Sequence, residues 1–64
     1  MRLNELLSVT DLVASKAVFV ENGKEYEELT QTHDEYMHVY DHSELYTVQF
    51  VWAKDSKVYI QVEY

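Results

Sequence analysis

The densest collection of metal-ligating side chains lies in the ten residues HDEYMHVYDH, positions 33–42. At about 100° per residue on a helix, Asp34, His38 and His42 share one face. Two histidines at i, i+4 beside a carboxylate are an arrangement that binds zinc. The segment lacks an HExxH signature and a fourth ligand, and the chain has no cysteine. It therefore reads as exposed side chains on an acidic helix, with no metal and no other cofactor. The paired carboxylates Glu27 and Glu28 could do acid–base work only where a pocket shifts their pKa, and they fall on a solvated hairpin arm. With a single glycine there is no phosphate loop, and 64 residues leave little room for a cleft. The chain is not expected to be an enzyme.

Binding is the better-supported chemistry. Between Glu21 and Tyr46 stand eight acids against one base, Lys24, while the remaining charges cancel. The whole net charge of −7 therefore sits in the middle of the chain. The same stretch holds four of the six tyrosines, Tyr26, Tyr36, Tyr40 and Tyr46. Tyrosine is enriched at binding hot spots because it offers a large apolar face and a hydroxyl at low entropy cost. An acidic run alone is as well explained by solubility; acids concentrated with tyrosines favour an interface with a basic protein. Nucleic acid and anionic membrane, which need clustered Lys and Arg, are excluded as partners.

A chain of this length is one domain, residues 1–64, with a marginal core of its own. Without cysteine it has no disulfide or thiolate-zinc support, which fits a reducing compartment. Hydrophobic residues at 47% and aromatics at 14% exceed what so small an interior can hide, so a homodimer is expected. No segment is apolar enough to cross a membrane, and Met1 to Val13 carries spaced rather than continuous apolar residues. The expected location is the cytosol.

The elements that must position these residues are legible in outline. Leu3, Leu6, Leu7 and Val13 share a face of a short N-terminal helix over residues 3–13. Strands over 16–21 and 24–30 flank Asn22-Gly23, a type I′ hairpin signal that pairs Glu21 with Lys24 and Phe19 with Tyr26. Thr32 and Glu35 form a capping-box pattern, starting a central helix that runs to about Ser43. Tyr36 and Tyr40 share one face of it, either as its core stripe or as a surface for a partner. After Tyr46, Val48, Phe50 and Trp52 alternate with Thr47, Gln49 and Val51. Val58, Ile60 and Val62 alternate in a last strand. The expected class is α+β: an antiparallel β-sheet of three to four strands with one central helix packed on it, plus the short N-terminal helix.

Several of these residues occur together in a known family. The run from Val18 to Ala53, a little over half the chain, resembles the small protein inhibitors of uracil-DNA glycosylase made by phi29-like Bacillus phages. The shared order is an apolar strand, Gly23-Lys24, Tyr26 with Glu28, Asp34-Glu35-Tyr36, Tyr40 and an alternating strand. The chain departs from the family in carrying Tyr36 where Phe is typical and Met37 where a relative has an acid. Its N-terminal helix and last strand look like additions. The resemblance implies a homodimeric DNA mimic whose carboxylates stand in for phosphates. It also implies helix aromatics that cage the leucine which the enzyme inserts into the minor groove. It assigns partner contact to Tyr36, Tyr40 and Glu28, with Glu35, Met37 and Tyr26 beside them as further candidates for partner contact, a host DNA-binding enzyme as the target and the host cytosol as the location. Other short acidic phage proteins act against CRISPR nucleases or other defences, and a structural or regulatory phage protein is a third class.

Overall fold

The computed structural model describes residues 1–10 and 16–64. Val13, assigned above to the apolar face of the first helix, lies outside the described residues. That helix, α1, spans Leu3–Val9. At its start the backbone N–H of Arg2 donates to Glu5 Oε1 at 2.8 Å, which satisfies a donor that helix geometry leaves unpaired. Leu3 is fully buried, and Leu6 and Leu7 pack against the same core.

The first hairpin joins β1 (Lys16–Glu21) to β2 (Lys24–Glu27). Its register pairs Glu21 with Lys24 and Phe19 with Tyr26, as the turn dipeptide requires. Asn22 and Gly23 take φ of 52° and 78°, the left-handed conformation that these two residue types tolerate. β2 ends at Glu27, short of residue 30. There the Glu27 N–H donates to Thr32 Oγ1 at 2.8 Å and its carbonyl accepts from Thr30 Oγ1 at 3.2 Å, which turns the chain out of the sheet.

Helix α2, His33–Asp41, follows Thr32 as expected, but no capping box forms. The Thr32 hydroxyl is taken by the Glu27 N–H and by Thr30 Oγ1, 2.6 Å away. The helix stops at Asp41 and a 3₁₀ turn covers Ser43–Leu45, so the expected run to Ser43 is shorter by two residues. Strands β3 (Thr47–Lys54) and β4 (Lys57–Glu63) complete a four-stranded sheet ordered β2-β1-β4-β3. Both hairpins are antiparallel; the central β1–β4 pair is parallel, so the sheet is mixed. β4 takes the central place because Val58, Ile60 and Val62 give it one continuous β-branched face. Ile60 and Val62 join Phe19, Leu3, Tyr36, Val39 and Tyr46 in the buried core under α2.

The pairing of β3 breaks the expected alternation. Val48 opposes Val62, but Phe50 opposes Gln61, leaving Gln49 as the extra residue of a bulge. Val48 therefore shares the core side of the sheet with Val51, while Phe50 and Trp52 turn to the other side with Gln61 and Tyr59. Gln49 is held there, accepting from Gln61 Nε2 at 3.0 Å and donating to Glu63 Oε2 at 3.1 Å.

The β3–β4 turn puts Asp55 and Ser56 at φ of 52° and 64° without a glycine. A left-handed residue with a Cβ costs about 1 kcal/mol, and serine lacks the local tolerance of Asp or Asn. Ser56→Gly should stabilise the domain by about 0.5–1 kcal/mol, raising Tm by a few degrees in a circular-dichroism melt. An unchanged or lower Tm would mean that the turn is not strained.

Candidate partner-binding surface

Packing decides which side of α2 is which. Tyr36 and Val39 point into the core at 7% and 1% exposure, and Met37 is half-buried against it. The Tyr36 ring stacks on Phe19, centroids 4.6 Å apart and planes 15° apart. Tyr40, one turn on, is 47% exposed, with its ring 6.3 Å from Tyr36 and inclined by 17°. Phe19, Tyr36 and Tyr40 thus form a column of near-parallel rings that begins in the core and ends in solvent.

The outer end of this column opens on a groove of about 780 Å³. Among the described residues, α2 supplies Tyr36 and Tyr40, the segment after β2 supplies Glu28, Leu29 and Thr30, and α1 supplies Leu7. The sheet end adds Lys16, Ala17, Glu27 and Lys57. Lys57 Nζ donates to Glu27 Oε1 at 2.7 Å, an ion pair whose side chains are 33% and 29% exposed and so are partly screened by water. The hydrogen bond from Lys57 to the Glu27 carboxylate raises the Lys57 pKa. Two acids and two bases make the groove itself close to neutral.

The unbalanced acids lie outside it. A smaller recess of about 220 Å³ is lined by Glu21, Tyr26, Asp34, Glu35, His38 and Val39. The Tyr26 hydroxyl donates to Glu21 Oε1 at 3.4 Å. Burial, then the Glu21 charge, raises the Tyr26 pKa; burial, then the Glu28 charge, does the same for Tyr36. Both therefore stay neutral phenols near pH 7, with the Tyr26 proton already directed at Glu21.

Of the six residues assigned to partner contact, the structure brings Tyr36, Tyr40 and Glu28 into the groove and Tyr26 and Glu35 into the recess. Met37 lines neither. The groove also holds a residue that pattern reading missed, Leu29, which is 85% exposed on its lip. The signal was present: Leu29 is the one aliphatic residue between Tyr26 and Tyr36.

The histidines are engaged locally. His38 and His42 rings lie 4.5 Å apart, and His42 Nδ1 donates to the His38 carbonyl at 2.9 Å. His33 Nδ1 donates to the Glu28 carbonyl at 2.6 Å, tying the groove's lip to the start of α2. Among the described residues no group of three or more His, Cys, Asp or Glu is placed to hold a metal ion. Among them, too, no helix is long and apolar enough to cross a membrane. Compared with family models, curated proteins and solved structures, the chain matches none.

Proposed function

We propose that this protein inhibits a DNA-binding enzyme by acidic mimicry of DNA, with uracil-DNA glycosylase as the target. The observation that carries the reading is the exposed end of the aromatic column. Tyr40 stands over the apolar side of a mixed groove, formed by Tyr36, Leu7, Ala17 and Leu29 and rimmed by Glu28, on a helix whose first turn exposes Asp34 and Glu35. An enzyme that opens DNA from the minor groove presents a basic channel and an apolar wedge. Exposed carboxylates complement the channel, and a groove floored by Tyr36 and edged by Tyr40 complements the wedge. Occluding the channel is sufficient for inhibition, so the chain needs no catalytic group or cofactor. The reading places the protein in the cytosol of the host cell, where such a target works.

The charge makes a kinetic test available. Exposed charges are screened over about 8 Å at physiological ionic strength, so steering by the acidic surface fades as salt is added. Association with immobilised glycosylase should slow by about tenfold or more between low and high salt, while dissociation changes far less. An association rate indifferent to salt would reduce the acids to a solubility device. If the glycosylase does not bind but a CRISPR nuclease or another basic defence protein does, with the same salt dependence, mimicry stands and the target is wrong.

A further inference from the structure

We propose that Leu29 is a pre-set anchor for the target, entering an apolar depression between lysine or arginine side chains, and that Thr30, Thr32 and His33 hold it in position. This rests on the basic target proposed above and adds a contact that runs the other way, from this chain into its partner.

Leu29 is 85% exposed, more than any other large apolar side chain among the described residues. A single exposed leucine is ordinary on a protein surface. What sets this one apart is the backbone that carries it. The Glu27 N–H donates to Thr32 Oγ1 at 2.8 Å, and Thr30 Oγ1 donates to the Glu27 carbonyl at 3.2 Å while accepting the Thr32 N–H at 3.1 Å. The two hydroxyl oxygens lie 2.6 Å apart. The Thr30 carbonyl accepts from the His33 N–H at 3.0 Å, and the Glu28 carbonyl from His33 Nδ1 at 2.6 Å. The residues on both sides of Leu29 are thus bonded to the end of β2 or the start of α2, and the loop is fixed before a partner arrives. Ordering a loop at an interface subtracts from affinity, so a contact that is already ordered keeps more of what its burial gains.

The surroundings of Leu29 select the chemistry of the partner. From Glu25 to Glu35 the chain has five acids, no lysine or arginine, and one aliphatic side chain, Leu29 itself. Glu28 precedes it, exposed, and the first turn of α2, to which the loop is tied through His33, exposes Asp34 and Glu35. An apolar anchor among charged neighbours has the anatomy of a binding hot spot: the polar rim excludes water and the centre supplies the affinity. A basic surface that meets these carboxylates also closes over Leu29. A leucine pressed directly on a cation would strip it of water without replacing the lost hydrogen bonds. The complementary surface is therefore an apolar depression with its cations set around it.

The test compares variants on immobilised glycosylase with their circular-dichroism melts. Leu29→Ser should dissociate at least about tenfold faster with an unchanged Tm, whereas Leu29→Met should stay within about threefold of wild type. Thr30→Val removes the hydroxyl at the centre of the clamp and should weaken binding by about threefold or more, and Thr30→Ser should restore it. In a Leu29→Ser background Thr30→Val should add nothing, because a positioning residue acts through the side chain it positions. Leu29→Ser that binds as tightly as wild type, or melts several degrees lower, overturns the anchor and leaves the basic target standing. A Thr30→Val effect that persists undiminished beside Leu29→Ser overturns the positioning role. A wild type that does not bind the glycosylase removes that target and the anchor with it. Heteronuclear NOEs on the free protein read the loop without any partner: amides of 28–32 should be as rigid as those of α2, and a mobile loop overturns the pre-set anchor whatever the target.

Discussion

Tyr36→Ala should destabilise the domain by about 3–5 kcal/mol, the cost of emptying a buried aromatic site. Tyr36 is 7% exposed and stacked on Phe19, so the truncation removes the middle of the ring column and leaves Val39 and Phe19 beside a cavity. A domain of this size has only about 3–10 kcal/mol of stability in total. Tm should therefore fall by more than about 15 °C, and the variant should be largely unfolded at 37 °C. Any loss of inhibition in Tyr36→Ala reports on folding and says nothing of contact. Tyr36→Phe separates the two. Among the described residues the Tyr36 hydroxyl has no hydrogen-bond partner, and no buried side-chain polar atom is left unsatisfied, so removing the hydroxyl orphans no group there. Tyr36→Phe should melt within about 1 kcal/mol of wild type. Burial raises the folded pKa of Tyr36 above its unfolded value, so its contribution is full below about pH 10 and is lost as pH rises through the folded value. Tyr36→Phe should accordingly soften the alkaline fall in Tm. A Tyr36→Ala variant that melts like wild type would contradict the core placement.

The second large effect belongs to Tyr40. Tyr40 is 47% exposed, and among the described residues its one aromatic neighbour is Tyr36 at 6.3 Å, so Tyr40→Ala should cost the fold no more than about 1 kcal/mol. Bound to an apolar wedge the same ring becomes desolvated, and truncating such a hot spot costs about 2 kcal/mol or more. Inhibition should weaken by about thirtyfold or more at 25 °C with an almost unchanged melt. Equal inhibition by Tyr40→Ala and wild type would remove the groove from the mechanism and leave only the acids.

These two predictions differ because packing divides residues that a helical wheel unites. Spacing puts Tyr36 and Tyr40 on one face, but the apolar arc that meets the sheet is centred on Tyr36 and Val39, and Tyr40 falls at its margin. Only the sheet's position fixes that. The turn and register of the first hairpin were readable because Asn22-Gly23 dictates both, whereas the end of β2 at Glu27 was not. The bulge at Gln49 was not, since an inserted residue leaves the alternation Val48, Phe50, Trp52 formally intact while reversing the side on which two of them lie. The second turn places two left-handed residues, Asp55 and Ser56, where no glycine announces them. The parallel β1–β4 pair and the exposure of β3 are set by which strand takes the centre, a tertiary choice between two similarly apolar segments. Thr32 marked the helix start through a different bond from the one its spacing suggests.

The most direct measurement is uracil excision from a duplex oligonucleotide by purified uracil-DNA glycosylase, titrated with the wild-type protein at several duplex concentrations. Occupation of the DNA channel predicts that excision falls as protein is added and recovers as duplex is raised. Excision unchanged with the protein in large excess over enzyme would contradict the account.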